Sequence, residues 1–253
     1  MFFTIKFGQR GYAIMYYDSK VIDIRNSVAS SLVVQSIDVN AIFIDRIVSR
    51  MFAKCSVLDI GTGNGFVLSE VLKVYIEPCQ LFGVDKSFDM VKLAKNNLGE
   101  AAIISEADNS YLPFGDETFD IVTAKNVTRF SSSEVFRVLK SGGYFIFREY
   151  GAGKGLLELA NIFKERLLRS RSYDFYTKSL ADSGFSVVSV ETFEVVRRYR
   201  DVECVINIVQ SFPFIENYSY SDEICIRELF GDDEVSITSD PFIIIARKFT
   251  EGG

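Results

Sequence analysis

The run VLDIGTGNG, residues 57–65, decides the fold of this chain of 253 residues. Ser56, Val57 and Leu58 read as a short β-strand that ends on an acid, Asp59, and opens into a turn with glycines at 61, 63 and 65. A second apolar run, residues 81–84, then ends on another acid, Asp85. A strand, a glycine-rich turn, a helix and a second strand closed by an acid build a nucleoside-binding crevice at the carboxyl ends of parallel strands. The spacing is GxGxG. A dinucleotide fingerprint places its third glycine one position later, where this chain has Phe66, whose ring obstructs the close helix–strand contact that glycine permits.

Outward from this run, strands and helices alternate, which predicts an α/β fold with a mostly parallel sheet and helices on both faces. Strands are expected near 55–60, 81–85, 101–105, 119–124 and 143–149, and helices near 65–75, 87–98, 131–140 and 155–170. The last of these carries Leu156, Leu157, Ala160, Phe163 and Leu167 on one stripe. A helix over 173–183 is closed by Gly184, at the position a C-terminal cap prefers. Residues 184–196 and 240–249 read as two further strands. Before the core, 2–7 and 12–17 read as short strands, and 22–34 and 40–52 as amphipathic helices. Residues 197–238 exceed what a hairpin needs. They hold helix-like pieces at 202–210 and 221–230 around a break at Phe212, Pro213 and Phe214.

Three further stretches follow the glycine turn in order: SEADNSYLPFGDETFDIVTAKNV (residues 105–127), EVFRVLKSGGYFIFREYG (134–151) and the closing strand pair. Together with the GxGxG turn they resemble the class I S-adenosylmethionine-dependent methyltransferases. The resemblance implies a Rossmann-like sheet of seven strands with an antiparallel last strand. It makes residues 1–253 one domain: a cap over 1–50, a core over 51–196 and 239–249, and an insertion or lid over 197–238. The implied activity is methyl transfer from S-adenosylmethionine, leaving S-adenosylhomocysteine, to an O, N or C atom of a small molecule. An RNA methyltransferase and a non-catalytic cofactor-binding subunit are the alternatives.

For the cofactor, the turn from Gly61 through Thr62 and Gly63 to Gly65 offers backbone N–H groups with no Cβ in the way, at a helix N-terminus that favours a carboxylate. Asp59 is placed to attract an ammonium group. Asp85 can accept both hydroxyls of a ribose, or cap the helix that follows, a task for which Ser87 is better placed. By resemblance alone, Lys86 and Met90 lie along the adenine, Asp108 accepts its amino group and the backbone of Asn109 donates to its ring. Asp108 also fits a turn-forming role. Lys125 and Asn126 stand at the rim where the methyl group is presented. No catalytic residue is assigned. Arg148, Glu149 and Tyr150, at the end of the fifth strand, are candidates for holding an anion or accepting a proton, with Tyr16 and Tyr17 as outside choices. For each, a packing or surface role fits equally well.

Composition narrows the classes. The net charge is −6, which argues against an extended nucleic-acid grip. Two local basic groups remain, Lys164, Arg166, Arg169 and Arg171, and Arg197, Arg198 and Arg200, both expected to be solvated faces. There is no histidine, and the four cysteines form no CxxC pair, so no metal site is expected. Without a secretory leader or a membrane-length apolar run, the expectation is a cytoplasmic protein, monomer or homodimer. The lid aromatics Phe212, Phe214, Tyr218 and Tyr220 suit a planar acceptor or, more readily, a core.

Overall fold

The computed structural model describes residues 32–168, 171–212, 214–231 and 233–249. The expected strands at 2–7 and 12–17, most of the helix at 22–34, and Tyr16, Tyr17, Arg169 and Pro213 lie outside the described residues.

The described chain enters on β1 (Leu32–Gln35) and helix α1 (Val39–Val48). The Asp38 carboxylate accepts the N–H groups of Asn40 and Ala41, satisfying donors that a helix start leaves unpaired. Strands and helices then alternate: β2 (Ser56–Ile60), α2 (Phe66–Val74), β3 (Gln80–Asp85), α3 (Phe88–Leu98), β4 (Ile103–Glu106), β5 (Phe119–Lys125), α4 (Ser132–Val138) and β6 (Leu139–Tyr150). Next come α5 (Leu157–Ile162), α6 (Tyr173–Asp182), β7 (Phe185–Thr192), β8 (Val195–Tyr199), α7 (Val202–Ser211), α8 (Tyr220–Phe230), β9 (Val235–Ser239) and β10 (Pro241–Lys248).

Seven strands pair in the order β4-β3-β2-β5-β6-β10-β7. From β2 to β6 every pairing is parallel. β10 slots between β6 and β7, antiparallel to both, so it alone runs against the rest. The strand order reverses at β2, whose neighbours are β3 and β5. A crevice therefore opens at their carboxyl ends, as it does wherever the winding of such a sheet changes direction.

Successive side chains of a strand point to opposite faces, and the sheet buries both. Val57, Ile121, Ile146 and Ile243 pack with α1, α2 and α3. Leu58, Ile60, Val122, Phe145, Phe147 and Ile244 pack with α4 and α6. Each such fully buried side chain contributes about 1.5–3 kcal/mol. Among the described residues no helix is long and apolar enough to cross a membrane.

Three expectations need correction. The helix expected over 155–170 is only α5, followed by a 3₁₀ turn at Lys164–Arg166; Leu167 instead bridges to Ile215. The single strand expected over 184–196 is two strands in different sheets. The Phe193 N–H donates to the Pro241 carbonyl, and the chain then leaves the main sheet. Residues 32–34, expected in a helix, are strand. β1, β8 and β9 form a separate antiparallel sheet in the order β1-β8-β9, which joins the segment before the core to the insertion. Beneath it lies a third core, with α5, α7 and α8 closing around Phe214, Ile226 and Ile237. The lid aromatics sort accordingly: Phe214 is fully buried, Phe212 and Tyr218 pack against that core, and Tyr220 is exposed.

Candidate functional site

Between β2 and α2 the chain reverses over a few residues, and Gly61, Gly63 and Gly65 all adopt positive φ (65°, 57° and 84°). Their reasons for being glycine differ. A Cβ on Gly61 would stand 2.5 Å from Val127 Cγ2, and one on Gly65 2.6 Å from Leu98 Cδ1, whereas a Cβ on Gly63 would meet nothing within 4 Å. Gly61 and Gly65 thus serve packing, and Gly63 leaves open space at the crevice. Thr62, buried between them, holds the turn to β3 through its N–H and the Val84 carbonyl, 2.9 Å.

Asp59 is opposite Thr123 in the β2–β5 register, and its Oδ1 accepts the Thr123 hydroxyl at 2.8 Å. Its other oxygen, Oδ2, is buried with no hydrogen bond of good geometry among the described residues, as is the nearby Thr62 hydroxyl. Burial pushes the Asp59 carboxyl up to about 6, against the pull of the Thr123 and Thr62 hydroxyls and of Lys125. A buried acceptor without a donor is costly, and an ammonium group supplies what it lacks.

Asp85 ends β3 with both oxygens engaged by backbone. Oδ2 accepts the Gly63 N–H at 2.8 Å and Oδ1 the Ser87 N–H at 2.9 Å. Each oxygen keeps a lone pair for a hydroxyl. Ser87 is the helix cap, its hydroxyl accepting the Met90 N–H, and Met90 is buried in the first turn of α3. Lys86 and Asp108 pair with each other across 2.7 Å. The lysine and the Ser110 N–H hold the Asp108 carboxyl below its ordinary value. Exposed pairs of this kind contribute about 0–1 kcal/mol and exchange readily for a ligand. Asn109 carries a buried, unpartnered side-chain oxygen, and its amide nitrogen lies 3.6 Å from the Cβ position of Gly61.

Lys125 ends β5, with its ammonium 4.7 Å from the centre of the Phe66 ring. Burial, with Arg148 nearby, brings it down to about 8. Phe66, which displaces the third glycine of a dinucleotide turn, is here a platform for a cation.

Of the three candidates on β6, the structure brings two together and separates the third. Arg148 and Tyr150 alternate with Phe147 and Glu149 and share the face of Ile146, toward α1–α3. The Arg148 guanidinium stacks 4.2 Å from the Tyr150 ring centre and donates through Nη1 to the side-chain oxygen of Asn126. Glu149 points to the other face. Its Oε1 accepts the Tyr150 N–H at 2.9 Å, and its Oε2 is buried without a partner. Burial pushes the Glu149 carboxyl up to about 7 despite Arg148 and Lys154.

Arg197, on β8, is the residue that sequence reasoning did not place here. Its Nη1 donates to the Tyr150 hydroxyl at 3.0 Å. Burial would raise the Tyr150 phenol, but the guanidiniums of Arg148 and Arg197 outweigh it and bring the hydroxyl to about 7. The signal was the alternation Val195, Arg197, Tyr199, which puts an arginine on the inward side of a strand. The expected basic patch therefore divides: Arg197 turns inward, while Arg198 and Arg200 are exposed. The other patch is also engaged, Arg166 with Asp222 and Arg171 with the Thr128 carbonyl. No cluster of metal-ligating side chains exists among the described residues.

A family model described as "Methyltransferase domain" matches residues 58–147, from β2 into β6. The ubiquinone/menaquinone biosynthesis C-methyltransferase UbiE of Vibrio vulnificus (strain YJ016) is 26% identical over 226 residues, 80% of this chain and 82% of that protein. The protein of the same name from Serratia proteamaculans (strain 568) is 30% identical over 165 residues, 58% of this chain and 65%, about two thirds, of its own length. A crystal structure described as a methyltransferase from Bacillus halodurans C-125 superposes with a TM-score of 0.60 at 21% identity, over 84% of this chain and all of that one.

Proposed function

Since the chain belongs to the class I S-adenosylmethionine-dependent methyltransferases, we propose that it holds S-adenosylmethionine in the crevice between β2 and β5 and methylates a small molecule. The observation that carries this reading is the Asp59 carboxylate, buried beside a left-handed glycine turn with Oδ2 lacking a donor. That atom fits the ammonium of the cofactor's amino-acid end. Gly61, Thr62, Gly63 and Gly65 line the same end, Asp85 takes the ribose hydroxyls, and Lys86, Met90, Asp108 and Asn109 border the base. Lys125 closes the rim beside Phe66.

S-adenosylmethionine, when bound, supplies a methyl group activated by its sulfonium, so the protein's part is orientation and exclusion of water. The third core and the three-stranded sheet support a lid over 197–238 that joins, through Leu32–Gln35, the segment before the core. Tyr150 suits the role of proton acceptor at its Oη, since two guanidiniums favour its phenolate and a base works best with a pKa near the working pH. Glu149 lies on the opposite face of the sheet and fits a second, less direct place. The names of the relatives, both enzymes of quinone biosynthesis, support a small-molecule acceptor over RNA, as does the net charge of −6.

Calorimetric titration of S-adenosylmethionine and S-adenosylhomocysteine tests the reading. Micromolar binding, weakened tenfold or more by Asp59→Leu, is the expected result, followed by an acceptor screen that reads S-adenosylhomocysteine release. Absence of binding by the wild type overturns it.

A further inference from the structure

The most deeply buried arginine of the described chain has no carboxylate partner. Arg148 is 1% exposed, yet among the described residues no acid lies within ion-pair distance of it or of Arg197. Several more exposed arginines are paired with acids: Arg46 with Glu191, Arg137 with Glu134, Arg166 with Asp222 and Arg227 with Glu203. Arg148 and Arg197 flank one tyrosine, the first stacked on its ring and the second donating to its hydroxyl. Each guanidinium donates through Nη1, to Asn126 and to Tyr150 respectively, and each leaves its Nε buried with no acceptor. Burying a cation in this way is expensive unless a counter-charge arrives.

Glu149 and Asp240 stand within electrostatic reach of Arg148, yet neither guanidinium hydrogen-bonds to an acid among the described residues. The Asp240 carboxylate accepts the N–H groups of Gly153 and Gly155, both at 2.8 Å. Glu149 faces away across the sheet, and Asp59 bonds to Thr123. Each guanidinium keeps an unpaired Nε, and the planar fork of Arg148 matches an oxyanion. Its neighbour in register is Lys125, at the rim of the cofactor crevice.

We propose that Arg148 and Arg197 form an anion clamp that selects a methyl acceptor carrying a carboxylate. This rests on the reading of the chain as a small-molecule methyltransferase and names the substrate class for it. The Tyr150 hydroxyl, between the two arginines, then faces the group that is methylated, while the carboxylate is held on the guanidinium Nε edges. A neutral amide of the same shape brings no counter-charge and a single acceptor oxygen for the two Nε donors, so it binds less tightly.

The test uses the full chain with benzoate as the probe and benzamide as its neutral counterpart, each titrated with and without saturating S-adenosylhomocysteine. Benzoate is expected to bind at least tenfold tighter than benzamide, and Arg197→Gln to abolish that preference. Arg148→Lys, which keeps the charge and loses the fork, is expected to weaken benzoate severalfold. Should either variant fail to fold, the wild type still reports. Benzoate on the clamp takes charge away from Tyr150, so it must raise the pH at which the tyrosinate absorbance missing from Tyr150→Phe develops. Equal binding of benzoate and benzamide, no benzoate binding, or an unmoved tyrosinate titration would each overturn the clamp. Binding of S-adenosylhomocysteine in the same samples keeps that failure separate from failure of the cofactor reading.

Discussion

The Asp85 carboxylate accepts the backbone N–H of Gly63 at 2.8 Å, so the acid that ends β3 is tied to the glycine turn that follows β2. Two sequence signals 22 residues apart meet in one hydrogen bond, and each oxygen of the carboxylate that fixes the turn keeps a lone pair for a further donor.

Asp85→Ala is expected to weaken S-adenosylhomocysteine binding tenfold or more, at least about 1.4 kcal/mol. Asp85→Asn, which keeps one carbonyl acceptor, should lie between. Calorimetric titration reads both; unchanged affinity in the alanine variant would remove Asp85 from the site.

Gly61 and Gly63 should respond differently to alanine. Both need positive φ, which costs an L-residue about 1–2 kcal/mol. At Gly61 the new methyl also collides with Val127, adding overpacking of about 1–3 kcal/mol. At Gly63 it enters open space. Urea unfolding should therefore show the larger loss for Gly61→Ala. Cofactor titration should show Gly63→Ala weakened beyond its stability loss. Matching unfolding midpoints would contradict the packing argument.

Stability should fall between pH 4.5 and 7. The unfolded Glu149 carboxyl releases its proton near 4.5, whereas the native one, raised by burial, holds it to about 7. The native state thus binds more protons across that window, and its contribution, complete below pH 4.5, is lost as pH climbs through 7. The loss is on the order of 3 kcal/mol. Asp59, raised to about 6, acts in the same direction at lower pH. Unfolding free energies measured across this range should fall less steeply in Glu149→Gln. Parallel curves would mean that Glu149 ionises normally in the fold.

Asp240→Ala should release the loop after β6. Its carboxylate holds the Gly153 and Gly155 N–H groups, and bonds to a charged acceptor contribute about 1.5–3 kcal/mol each. A loss of roughly 3–6 kcal/mol is expected, with hydrogen exchange at both glycines accelerated. Retained protection there would place the anchor of the loop elsewhere.

The stretches that sequence reading placed well are those where local and global demands agree. In β2, α2 and β3, the apolar runs, the glycines and the closing acids all point to one geometry. Where tertiary pairing overrode local pattern, reading failed. Leu156, Leu157, Ala160, Phe163 and Leu167 keep helical spacing, but the Leu168 N–H donates to the Phe214 carbonyl at 2.8 Å, so the last turn is drawn out to meet the insertion. Residues 184–196 look like one strand because their alternation runs on almost unbroken, yet Phe193 packs into the core under α1 and the chain changes sheets there.

By itself, the sequence determined the parallel α/β architecture, the crevice and the acids at its rim. Those follow from strand and helix periodicity and from glycine's freedom at positive φ, which are local properties. Only the tertiary structure decided that the face shared by Arg148 and Tyr150 is the one toward α1–α3, and that Arg197, from a different sheet and 47 residues away, closes on the Tyr150 hydroxyl. Strand alternation fixes a side only once register and sheet membership are known. The meeting of two guanidiniums at one phenol depends on long-range packing that no local pattern encodes.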